Sequence, residues 1–79
     1  MTNILRILFT LYLSFNLNKG SLLELSDGSR WIINPDDTAF TVLWLQPSEI
    51  DVQESKDQTY PYKLTNWDTK QSVRAKKQS

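Results

Sequence analysis

Asp27-Gly28 splits the stretch LELSDGSRWIIN, Leu23 to Asn34, into two apolar arms, and no other pair constrains the fold of this chain as much. Asp-Gly between alternating arms is a strong hairpin signal, because a type I′ turn needs positive φ at both central residues. On the way in, Leu23 and Leu25 alternate with Glu24 and Ser26. On the way out, Trp31 and Ile33 alternate with Arg30, Ile32 and Asn34. This pattern predicts a tight hairpin with Leu23, Leu25, Trp31 and Ile33 on its core face. Arg30 falls across from Glu24, a surface pair that contributes little.

The same period of two recurs downstream. Ile50 and Val52 alternate with Asp51 and Gln53, and Tyr60, Tyr62 and Leu64 alternate with Pro61, Lys63 and Thr65. Pro61 suits an edge or a strand start. The polar run ESKDQT reads as a loop, WDTK as a hairpin loop, and Val73 and Ala75 mark a last strand. Between hairpin and third strand, Asn34 can cap a helix, Pro35 suits its first position, and Asp36 and Asp37 favour its positive end. Phe40, Leu43 and Trp44 have helical spacing, whereas Thr41, Val42 and Trp44 prefer strand. The reading is one or two helical turns from Asp36 to about Leu43. The expected fold is mostly β: a small twisted antiparallel sheet or partly open barrel of about five short strands with one short helix, over residues 21–76, with 77–79 as a basic tail.

Residues 1–20 are the most apolar part of the chain and allow three readings. As an export signal, Met1 and Arg6 precede an apolar run from Ile7 to Leu17, although no Ala-x-Ala-like cleavage pair follows. As a strand, Ile7, Phe9, Leu11, Leu13, Phe15 and Leu17 alternate with Thr10, Tyr12, Ser14, Asn16 and Asn18. As an amphipathic helix, Leu8, Leu11 and Phe15 share a side, which the alternation opposes. The run is too short for a transmembrane span, which needs about 20 apolar residues. If the segment is retained, its apolar face must pair within the domain or with another chain. The full-length chain is therefore expected to be oligomeric or aggregation-prone, and a chain beginning at Gly20 to be monomeric and to keep its β-rich far-UV spectrum; an unfolded chain from Gly20 would make the segment a core strand. The protein is expected to be secreted or in the periplasm or envelope, or cytoplasmic if the segment is a folded strand.

Seventy-nine residues make at most one domain. The chain has no Cys, which removes disulfides, thiolate nucleophiles and sulfur-based zinc sites, and no His, the usual proton shuttle near neutral pH. The formal net charge is zero but unevenly placed: residues 1–73 hold six basic and nine acidic side chains, and Arg74, Lys76 and Lys77 sit at the C-terminus. An acidic body with a short basic tail argues against nucleic-acid binding.

The order of LSDGSRW, NPDD, WLQPSEIDV, YPYKLTN and VRAK, from Leu23 to Lys76, resembles a group of small bacterial proteins of unknown function. These look like exported β domains with an Asp-Gly-Ser-x-Trp hairpin and a Tyr-Pro-Tyr-x-Leu-x-Asn strand. The resemblance covers about two-thirds of the chain. Where the group often has Gly-Asp after the second Trp, this sequence has Pro47, Ser48 and Glu49. The resemblance implies a mostly β domain behind an export signal and implies no activity.

Candidate sites are few. Asp27, Asp36, Asp37, Asp51 and Asp57 match no calcium-loop spacing and read as turn and cap residues. Asp36 and Asp37 are adjacent, a poor arrangement for paired acid/base work on one substrate. Ser26 and Ser29 have no base to activate them. No phosphate loop is possible with Gly20 and Gly28 alone. No metal or cofactor is expected. Trp67, in a polar hairpin loop, is either an interface anchor or a cover for its own sheet edge. Trp67, Tyr60, Tyr62, Lys63 and Arg74 could together form a stacking surface for single-stranded nucleic acid or a glycan. The favoured expectation is a non-enzymatic, exported or envelope-associated interaction domain that binds a protein partner or itself, through a sheet edge or the Trp67 loop. The alternative is a small-barrel nucleic-acid-binding module using those five residues.

Overall fold

In the computed structural model, which describes residues 10–78, the arms around Asp27-Gly28 form strands β2 (Leu22–Leu25) and β3 (Arg30–Ile33). They pair antiparallel, with Leu23 opposite Trp31 and Glu24 opposite Arg30. Leu23, Leu25, Trp31 and Ile33 are buried in the core, as their alternation predicts. The turn differs from expectation. Only Gly28 has positive φ, at +87°, and the loop holds Gly28 N–H on Leu25 O (2.9 Å) and Leu25 N–H on Ser29 O (2.9 Å). Asp27 keeps a negative φ because its carboxylate is used locally, accepting from Ser29 N–H (3.0 Å) and Ser29 Oγ (2.6 Å). The result is a three-residue loop with one left-handed glycine, not a type I′ pair.

Four further strands complete the fold: β1 (Leu11–Leu17), β4 (Glu49–Glu54), β5 (Tyr62–Asn66) and β6 (Gln71–Lys77). Two consecutive three-stranded meanders, β1–β3 and β4–β6, join through antiparallel β3–β6 and β1–β4 pairs into a closed six-stranded barrel. The protein is therefore mostly β, as expected, and β1 is the strand that takes a five-stranded sheet to closure. The rest of the apolar start, and the export reading that depends on it, falls outside the described residues.

A bulge in β1 overturns part of the predicted alternation. Leu13 faces Leu25, but Phe15, not Ser14, faces Glu24. The extra residue flips the strand's phase. Leu13 stays in the core, Phe15 turns outward and is 52% exposed, and Asn16 turns inward. The Asn16 amide nitrogen donates to Thr41 O (2.8 Å) and Trp44 O (3.0 Å), which stitches β1 to the crossover between the meanders.

That crossover begins as read from sequence. Asn34 Oδ1 accepts from Asp36 N–H (2.9 Å) and caps a 3-10 turn, Pro35–Asp37, which runs into a short helix, α1 (Thr38–Thr41). The expected face of Phe40, Leu43 and Trp44 does not form. Trp44 is 2% exposed and donates its indole N–H to Gln71 Oε1 (2.8 Å), whereas Leu43 is 74% exposed. The helix ends at Thr41, so three residues in the crossover no longer share a helical side. One close approach sets α1 in place. Thr41 Oγ1 donates to Gly20 O (2.6 Å), and a Cβ on Gly20 would lie 2.6 Å from both Thr41 Oγ1 and Val42 N. Only glycine fits, at φ +87°.

Candidate interaction surfaces

The five residues singled out from sequence do not form one site. Tyr62 opens β5 and Trp67 follows its last residue, so about 16 Å of strand separates them. Tyr62 points into the barrel mouth and meets Trp31 edge to face, with ring centroids 5.0 Å apart. Trp31 in turn donates its indole N–H to Ser29 Oγ (2.9 Å), which donates to Asp27 Oδ1. These hydrogen bonds from Ser29, side chain first and backbone second, hold the Asp27 carboxyl below its usual range. The mouth is a packed aromatic plug braced by the hairpin loop. Lysines already lie over the aromatic faces: Lys77 Nζ is 5.9 Å from the Trp31 centroid, Lys76 Nζ 5.7 Å from that of Tyr60, and Lys70 Nζ 5.5 Å from that of Trp67.

Lys63 and Arg74 do meet, as directly opposed residues on the outer face of β5 and β6. Arg74 is engaged by Asp37, whose Oδ2 accepts from Arg74 Nε (3.0 Å) and the Arg74 backbone N–H (2.8 Å), while Oδ1 accepts from Nη2 (3.0 Å). The Arg74 hydrogen bond is the main reason the Asp37 carboxyl sits below its ordinary value, against the opposing effect of burial. Reciprocally, Asp37 raises the Arg74 guanidinium. This pair pins the start of the crossover to β6.

The surface that sequence reasoning missed is at the other end. It is the end that α1 closes, where β1, β3 and β5 finish and β2, β4 and β6 begin. Leu43 and Leu45 flank buried Trp44 and are 74% and 76% exposed, and Phe15, Phe40 and Val42 are exposed as well. Phe40, Val42, Leu43 and Leu45 share the six-residue run 40–45, whereas Phe15 lies on the outer face of β1 opposite Glu24. Asn16, next to Phe15, bonds the carbonyl oxygens of Thr41 and Trp44, and Leu13 N–H reaches Ser48 O (2.8 Å). Ser48 Oγ closes a turn onto Leu45 O. The Trp67 loop joins this end through Trp67 N–H to Glu49 O (2.9 Å), with Trp67 39% exposed. The run Val42-Leu43-Trp44-Leu45 is apolar throughout, so no period in it distinguishes the buried residue from the exposed ones.

Two buried polar atoms also mark this half of the barrel. Asn16 Oδ1 and Asn66 Nδ2 have no hydrogen-bond partner, although the rest of each amide is used. Among the described residues no three acidic side chains gather to hold a metal ion, and no helix is long and apolar enough to cross a membrane. No family model matches the chain, and neither a curated protein nor a solved structure resembles it significantly.

Proposed function

We propose that this chain is a non-enzymatic protein-interaction domain, exported or envelope-associated, that docks through the apolar end of its barrel. The observation that carries this reading is the exposure of Phe40, Val42, Leu43 and Leu45 within one six-residue run. Soluble domains rarely leave contiguous apolar surface uncovered unless it is used. Closure pairs every described strand on both sides, so the docking mode passes from a sheet edge to side chains. Absence of His and Cys supports the non-enzymatic assignment. The apolar start and the resemblance to exported β domains support the location.

Nucleic acid is the weaker reading. Arg74 is neutralised by Asp37, Tyr62 is packed on Trp31, and Trp67 lies apart from both tyrosines. The test is a photo-crosslinking residue placed at Leu43 or Leu45, and separately at Lys63, in cells that express the chain. Discrete protein adducts from Leu43 and Leu45, with none from Lys63, are expected. Adducts from Lys63 alone, together with salt-sensitive retention on single-stranded DNA, would overturn the proposal in favour of nucleic acid.

A further inference from the structure

We infer that Asp27-Gly28 is a site of spontaneous covalent modification, isoaspartate formation through a cyclic imide, and that Ser29 holds this reaction back in the folded barrel. The inference is independent of the docking surface. In the reaction the Gly28 nitrogen attacks the side-chain carboxyl carbon of Asp27. A C–N bond forms as the C–OH bond breaks, the amide proton leaves with the hydroxyl as water, and a five-membered imide remains. Water then reopens the imide at one of its two carbonyls. One opening restores aspartate, and the other reroutes the main chain through the Asp27 β-carbon. A following glycine favours ring closure because no side chain crowds the attacking nitrogen, and Asp27-Gly28 is the one place in the sequence where Gly follows Asp or Asn.

Asp27 and Gly28 are exposed, and a Cβ on Gly28 would meet nothing within 4 Å. Packing therefore does not restrain the loop there. Hydrogen bonds do, at both reacting groups. The carboxyl is committed to Ser29, with Asp27 Oδ1 accepting from Ser29 N–H (3.0 Å) and Ser29 Oγ (2.6 Å). The nitrogen is committed to Leu25, whose carbonyl oxygen accepts from Gly28 N–H (2.9 Å). Ser29 is itself anchored in the barrel mouth, because its Oγ accepts from the indole N–H of buried Trp31 (2.9 Å). The same bonds from Ser29 hold the Asp27 carboxyl below its usual range, so the neutral acid that closes the ring is scarce. Ring closure needs both sets of bonds open at once, and its rate then follows the open fraction of the loop. The isoaspartyl product does not refit. It lengthens the main chain between Leu25 and Ser29, which are joined by a backbone hydrogen bond of 2.9 Å, and it takes from Ser29 the carboxylate that holds it under Trp31.

Ageing of the full chain in mildly acidic buffer, followed by tryptic mapping, tests the inference. Cleavage after Lys19 and Arg30 releases residues 20–30, whose only aspartate is Asp27. The imide appears in that peptide as the loss of one water, and the isoaspartyl form as unchanged mass with a shifted retention. A synthetic peptide of residues 20–30, aged alongside, should convert at least about tenfold faster than the folded chain, because its loop is always open. Ser29→Ala in the full chain should convert about fivefold or more faster than the wild type, the worth of the hydroxyl bond it removes. Asp37→Asn destabilises the barrel without touching this loop, and should convert at close to the wild-type rate. A wild type that converts as fast as the peptide overturns the inference, since the folded loop would then be no brake. Ser29→Ala that converts as slowly as the wild type also overturns it. So does Asp37→Asn that converts as fast as Ser29→Ala, because unfolding of the whole barrel, and not the Ser29 contact, would then set the rate.

Discussion

Asp37 and Arg74 stand 37 residues apart in the sequence and meet through three hydrogen bonds, two of them from the guanidinium and one from the backbone. The pair joins the crossover between the two meanders to the last strand of the second one. Its Asp37 side chain is 12% exposed and its Arg74 side chain 46%, so water screens one partner and not the other. Asp37→Asn keeps the shape and removes the charge, and should cost about 1 kcal/mol at pH 7, discounted for the exposed guanidinium. The folded-state pKa of Asp37 is depressed. Its contribution is therefore present above the unfolded carboxylate value of about 4 and is lost as pH falls through the folded value. Urea denaturation of wild type and Asp37→Asn at a series of pH values should show two stabilities that converge in acid.

The two glycines make a matched pair. Both have φ +87°, but a Cβ on Gly28 would meet nothing within 4 Å, whereas one on Gly20 would strike Thr41 and the Val42 nitrogen. Gly28→Ala should cost about 1–2 kcal/mol, the penalty of a left-handed alanine alone. Gly20→Ala carries the same penalty plus displacement of α1, and should be clearly the worse of the two. Thermal denaturation of both variants decides it, and equal losses would mean that α1 yields without cost.

Trp31 fills the barrel mouth, where it is buried against Tyr62 and has its indole N–H satisfied by Ser29. Trp31→Ala should remove about 3–5 kcal/mol, enough to unfold a domain of this size. Ser29→Ala leaves the indole N–H without its partner and should cost about 1–2 kcal/mol. A Trp31→Ala chain with a cooperative denaturation curve would place the tryptophan outside the core.

A chain beginning at Gly20 lacks β1. That removes the ladders to β2 and β4 and uncovers Leu23, Leu25 and Ile50. It also removes Asn16, which holds the crossover at Thr41 and Trp44. Because closure makes β1 integral to the barrel, and against the expectation of a β-rich monomer, such a chain should give no cooperative transition by circular dichroism. A folded, β-rich monomer from Gly20 onward would mean that five strands suffice.

Period-two alternation made β2, β3, β4, β5 and β6 and the inward residues Leu23, Leu25, Trp31, Ile33, Ile50, Leu64, Val73 and Ala75 legible in the sequence. Each strand has a wet face and a dry face, and that chemistry is written locally. The cap at Asn34 was legible for the same reason, since its partner is two residues away. What only the tertiary structure decided depends on residues distant in sequence. The bulge that turns Phe15 out and Asn16 in arises where β1 must match β2. The use of Asp37 to hold Arg74, and of Gly20 to seat Thr41, exists only after the meanders meet. The apolar end was invisible because Val42-Leu43-Trp44-Leu45 has no polar residue to mark its phase. Which of those side chains is buried was set by where the barrel had room for one indole and a glutamine, Gln71, to receive its N–H.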